Sequence, residues 1–111
     1  MNRFKWGLIL PIVMITGCHM TVDVVGKLGA DEALSGSLTH YDDGGTIELT
    51  GNPGTHCIGN FTYRRRDEGV EGSGTMLCSD RRSGPLHFLI NGMKHGAGSG
   101  LIGGQQFTIR F

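Results

Sequence analysis

Glycine limits this chain more than any other residue. Twenty of its 111 residues are glycine, against an average share of about 7%, and they recur without the strict three-residue period of collagen. Past residue 18 they break up almost every stretch long enough to carry a helical repeat. A glycine inside a helix costs about 1 kcal/mol relative to alanine, whereas glycine beside Asp or Asn favours tight turns. What survives between the glycines alternates like strands. Thr46-Ile47-Glu48-Leu49-Thr50 turns Ile47 and Leu49 to one side, and Leu86, Phe88, Ile90 and then Phe107, Ile109, Phe111 repeat the pattern. Thr21 to Val25 is a first strand candidate. Ser37 to Tyr41 and Thr46 to Thr50 flank Asp42-Asp43-Gly44-Gly45, a hairpin turn. Residues 29–35 have the composition for one helical turn. The expected fold is all-β, a small antiparallel sandwich or barrel-like meander of about seven to eight short strands.

The N-terminus has a different character. Arg3 and Lys5 precede an apolar run from Trp6 to Ile15, about half the roughly 20 residues a spanning helix needs. Its length and flanks suit the apolar part of a secretory signal. At its end, Ile15-Thr16-Gly17-Cys18 resembles the lipobox of bacterial lipoproteins. In that family the cysteine thiol receives a diacylglyceryl group, the leader is cut just before it, and the new amine is acylated. The resemblance implies a cleaved signal peptide at 1–17, a lipidated tether at 18–20 and one small domain at 21–111. Two or more acyl chains give stable anchoring, at about 0.8 kcal/mol per buried methylene. His19 stands where an Asp would favour retention at the inner membrane. The implied address is therefore the cell envelope, at the outer membrane facing the periplasm, with a Gram-positive surface lipoprotein as the other option. Cleavage removes two of ten basic residues and none of the ten acidic ones, leaving a net charge of −2.

With Cys18 committed to lipid, Cys57 and Cys78 remain as an even pair in an oxidising compartment. A disulfide between them would contribute roughly 3 kcal/mol by the chain-entropy argument; two buried free thiols are the alternative. If the two cysteines oppose each other across a hairpin, its turn falls in Arg66-Asp67-Glu68-Gly69. Phe61 then faces Gly74, Tyr63 faces Gly72 and Met76 faces Gly59. Large side chains laid over cross-strand glycines fix register. Glycine also stands two residues before a large apolar residue at Gly36, Gly59, Gly74 and Gly100.

Cys57-Ile58-Gly59-Asn60-Phe61, then Gly72 to Pro85 with Cys78-Ser79-Asp80-Arg81-Arg82, then Gly96 to Gly100 and Gly103 to Phe107, resemble a group of small uncharacterised bacterial proteins. Those carry CxGxF, GxGxLxCSDGRxG and GxGxG ahead of a closing aromatic strand. The resemblance spans residues 45–111 and implies a fold without an activity. Arg82 stands where a glycine-containing turn is common in that group.

Few residues suggest chemistry. Arg64, Arg65, Arg66, Arg81 and Arg82 are a candidate patch for phosphate or lipid headgroups. The assumed hairpin sends the first three to its tip and the last two to its open end, however, and Asp67, Glu68, Glu71 and Asp80 lie close by. His40, His56, His87 and His95 lack the spacing of metal ligands. No nucleophile elbow opens a helix, and Ser99 lies in a glycine-rich loop. Nucleic acid is not an expected partner, since stacking aromatics are few. A transmembrane barrel needs at least eight strands of 9–11 residues, more than this glycine-broken chain offers. The sequence therefore points to a non-enzymatic lipoprotein with a binding or structural role. It would have no cofactor beyond the lipid on Cys18, and its partners would be the bilayer and an unidentified envelope protein or ligand. The alternative is an inhibitor or immunity lipoprotein that blocks a periplasmic enzyme such as lysozyme, or a phage-exclusion factor. Gly51 to His56 and Asn91 to Gly98 are the candidate inhibitory loops.

Overall fold

The computed structural model describes residues 20–66, 69–91 and 95–111. They form eight antiparallel strands that close into one barrel. In chain order these are β1 (Met20–Leu28), β2 (Glu32–His40), β3 (Gly44–Thr50), β4 (His56–Arg66), β5 (Gly69–Cys78), β6 (Ser83–Asn91), β7 (His95–Ile102) and β8 (Gln105–Arg110). Each strand pairs with the next, and β8 returns to β1. No helix among the described residues is long and apolar enough to cross a membrane.

The registers set the shape. Met20 pairs with His40, His40 with Gly45, Gly45 with Phe61 and Phe61 with Gly74. Gly74 pairs with Leu86, Leu86 with Gly100, Gly100 with Phe107, and Phe107 with Leu28. The circuit thus re-enters β1 eight residues beyond its start. Eight strands with a shear of eight tilt by about 36° and enclose a space that side chains alone can fill. Apolar side chains occupy it: Leu38, Leu49 and Met76 are wholly buried, as are Cys57 and Ile102. Thr, Ser and charged residues point outward on most strands, the reverse of the lipid-facing apolar band of a transmembrane barrel.

So narrow an interior cannot hold a large side chain at every inward position. Glycines alternate with bulky residues across the strands. Phe88 lies between Gly72 and Gly98, Phe61 between Gly45 and Gly74, and Leu86 between Gly74 and Gly100. The expected Phe61–Gly74, Tyr63–Gly72 and Met76–Gly59 pairs are all present, and Cys57 and Cys78 are joined by a disulfide.

Three local expectations change. Residues 29–35 do not form a helical turn: Gly29 takes a φ of 65° in a tight connection, and Glu32 begins β2. Burial of Leu34 and nine paired positions with β1 outweigh local helix propensity there. β1 begins at Met20, inside the expected tether. In the β5–β6 connection the residue at positive φ is Arg81 (75°) rather than Arg82. The Arg81 N–H donates to the Cys78 carbonyl, and the Cys78 N–H donates to the Arg82 carbonyl.

The up-and-down order gives the barrel two distinct ends. At the near end lie the start of β1, the connection 41–43, the end of β4 with the start of β5, and the end of β6 with the start of β7. At the far end lie 29–31, 51–55, 79–82 and 103–104. β8 pairs with β1 only over Val25–Leu28. Among the described residues, Met20–Val24 therefore ladder with β2 alone, leaving a notch in the near-end wall between β1 and β7.

Candidate functional site

The near end holds the barrel's aromatic cluster. Phe61 meets Phe88 edge-on at 4.7 Å between centroids, and Phe88 meets Phe111 at 5.9 Å. Tyr63 lies 5.4 Å from Phe61 and 6.0 Å from the His40 ring. His40 closes β2 and Tyr63 lies near the end of β4, with β3 between them. Gly45, which pairs with His40 on one side and Phe61 on the other, carries no side chain, and the Phe61 ring fills the space beside it. The Tyr63 hydroxyl pairs with His40 Nδ1, while His40 Nε2 is buried without a partner among the described residues. Burial pushes the His40 pKa down and the Tyr63 pKa up to about 12. At neutral pH the phenol keeps its proton and the imidazole is neutral, so one of its ring nitrogens donates and the other accepts. The site offers one buried polar atom inside an aromatic collar. It brings together no carboxylate and nucleophile, and no group of three metal-ligating side chains occurs among the described residues.

The far end is closed by polar contacts. The Arg82 guanidinium donates from Nε to Asp80 Oδ2 (2.7 Å) and from Nη2 to the buried Thr55 hydroxyl (3.0 Å). The Asn52 N–H donates to Glu32 Oε2 at 2.8 Å. The Thr55 hydroxyl and that Asn52 N–H hold the Glu32 carboxyl below its usual range, and the Arg82 N–H does the same for Asp80. Beneath this cap lies the Cys57–Cys78 bond.

The candidate arginines are divided between the two ends. Arg64, Arg65 and Arg66 end β4 at the near end, paired with Glu71, Val70 and Gly69. Arg81 and Arg82 lie in a far-end connection. The two candidate loops are likewise separated: 51–55 is a far-end connection with His56 opening β4, while of Asn91 to Gly98 the described residues, Asn91 and His95 to Gly98, are not loop but the near-end parts of β6 and β7. Cys18 lies outside the described residues. His56 pairs with Glu48 (2.6 Å) and His87 with Glu71, both on the outer wall. Sequence reasoning missed the His40–Tyr63 pair, which joins two non-adjacent strands and has no local pattern to signal it.

Compared with known protein families, curated proteins and solved structures, the chain matches none.

Proposed function

We propose that this chain is a lipid-anchored protein of the bacterial cell envelope whose barrel acts by binding or support rather than by catalysis. The observation that carries the reading is the spacing at the N-terminus. A lipobox cysteine at residue 18 is followed after one residue by the first barrel strand, and the other two cysteines are already spent on each other. A signal, an anchor and a folded domain thus follow in immediate succession. The outer membrane, facing the periplasm, is the address that His19 favours. The test is the intact mass of protein extracted from membranes with detergent. Loss of residues 1–17 and a gain of diacylglycerol and acyl mass on residue 18 is the expected result, with Cys18→Ala accumulating as unprocessed precursor. A mature chain that keeps its leader overturns the proposal.

One observation favours inhibition of a periplasmic enzyme as a second reading. The far-end connection 51–55 is held rigid by the Gly51 N–H to Thr55 carbonyl bond (3.0 Å) and by the Thr55–Arg82 contact. A loop pre-ordered in this way binds a cleft at little entropic cost. Failure to protect bacterial cell walls from lysozyme at micromolar concentration discards the lysozyme version.

A further inference from the structure

Resting on the anchored reading, we infer that the barrel stands on its near end, with the rim formed by Tyr41, Arg65 and the start of β1 seated in the headgroup layer of the bilayer that holds Cys18. Chain length forces the geometry. Two residue steps separate Cys18 from Met20, and fully extended they span about 7 Å. The polar layer of one leaflet is itself about 5–8 Å thick. A chain acylated at residue 18 therefore has no slack with which to hold the near end clear of the lipid. β1 has nine residues, which at about 3.3 Å each and a tilt of about 36° amount to about 24 Å along the barrel axis. The far end, with Asn52 and Arg82, is thus held well out in the aqueous phase.

The rim suits that position. Tyr41 is 51% exposed there, and tyrosine places an apolar ring and a polar tip naturally at a membrane–water boundary. Tyr63 and Phe111 are half-buried just inside the same opening. Asp42, Asp43, Tyr63, Arg65 and Val70 line one shallow hollow on the rim. Its two carboxylates outnumber its one guanidinium, so nothing in the hollow calls for anionic lipid. The notch fits as well. An open strand edge such as Met20–Val24 is a template for pairing with another chain. Antiparallel pairing with a second copy across that edge would point the partner's N-terminus away from the membrane that both anchors share. The wet headgroup layer supplies hydrogen-bonding partners to the exposed edge instead.

The experiment uses fluorescence. Trp6, the chain's single tryptophan, lies in the leader, so each variant carries one reporter. Full-length Tyr41→Trp, Arg65→Trp and Asn52→Trp proteins are matured in cells, checked by intact mass, and reconstituted into phosphatidylcholine vesicles with brominated acyl chains. Bromine quenches only indole within contact range. Trp at 41 or 65 is expected to lose about twofold or more of its emission relative to unbrominated vesicles, as an interfacial ring should, while Trp at 52 keeps its emission. Either near-end reporter suffices if the other variant fails to fold. Equal quenching at the two ends, or none at the near end, in a lipidated chain overturns the orientation alone. A mature chain without lipid mass overturns the anchor and the orientation with it.

Discussion

The imidazole of His40 and the phenol of Tyr63 meet inside the near end of the barrel, two strands apart, and bond across β3. The pair makes a definite demand on pH. Burial holds the folded His40 pKa below its usual 6.5, so between those two values the unfolded chain binds a proton that the folded chain refuses. Stability therefore rises with pH across that window, and it is lost as pH falls from 6.5 toward the folded value. Glu32 and Asp80, whose pKa values are lowered from 4.5 and 3.8, add their own losses only at more acidic pH. Between pH 7.5 and 5 the urea midpoint of the wild type should drop, and that of His40→Leu should drop less. The difference is bounded by one proton, about 1.4 kcal/mol per pH unit. Parallel pH profiles for the two proteins would show that folded His40 binds its proton as readily as the unfolded chain does.

Phe88 fills the barrel at the cost of side chains on both sides. A β-carbon on Gly72 would come within 2.7 Å of the Phe88 ring edge, and one on Gly98 would strike Phe88 Cβ. Overpacking of this kind costs about 1–3 kcal/mol, so Gly72→Ala should destabilise by that amount in chemical denaturation. Phe88→Leu shortens the ring that the new methyl meets. In the Gly72→Ala background it should cost less than in the wild type, with a coupling of at least about 0.5 kcal/mol in a double-mutant cycle. Strict additivity would mean that Gly72 is not a spacer for Phe88.

How much of this could be read in advance depended on the range of the interaction. The β4–β5 hairpin was legible because two cysteines and three large-residue-to-glycine pairs fall into one register, and the observed pairing is that register. Barrel closure was harder. It depends on β8 finding β1, which are separated by most of the chain, and only four residue pairs join them. His40 and Tyr63 could not be linked, because no local pattern connects residues on non-adjacent strands. Their meeting follows from the curvature of the closed sheet, which brings inward-facing residues of β2 and β4 together across β3. At residues 29–35 helix-prone Ala, Glu and Leu misled, since strand pairing decides the conformation there and propensity does not.

The disulfide joins directly opposed, buried positions of a hairpin that is already well paired. For a barrel that begins at Met20 the core is small, and loss of a native bridge in such a domain typically costs 2–5 kcal/mol. Cys57→Ala with Cys78→Ala should lower Tm by about 10 °C or more, taking about 4–8 °C per kcal/mol. Retention of the wild-type Tm in the double variant would place the stability of this barrel wholly in its glycine-aromatic packing.

Arg81 is the one non-glycine residue at positive φ among those described, and it sits in the turn that brings β6 back from β5. The left-handed conformation costs an L-residue about 1–2 kcal/mol, while glycine at the same place gives back part of that gain as unfolded-state entropy. The exposed Arg81 side chain takes no part in the far-end cap, whose contacts to Asp80 and Thr55 come from Arg82. Arg81→Gly should therefore stabilise by about 0.5–1 kcal/mol, visible as a higher Tm with an unchanged denaturant slope. Arg82→Gly should do the opposite, since it removes the donors that hold Asp80 and the buried Thr55 hydroxyl and relieves no backbone strain. The contrast in sign between two adjacent arginines is what separates turn strain from simple surface charge: if both variants shift stability in the same direction, the strain assigned to Arg81 is absent.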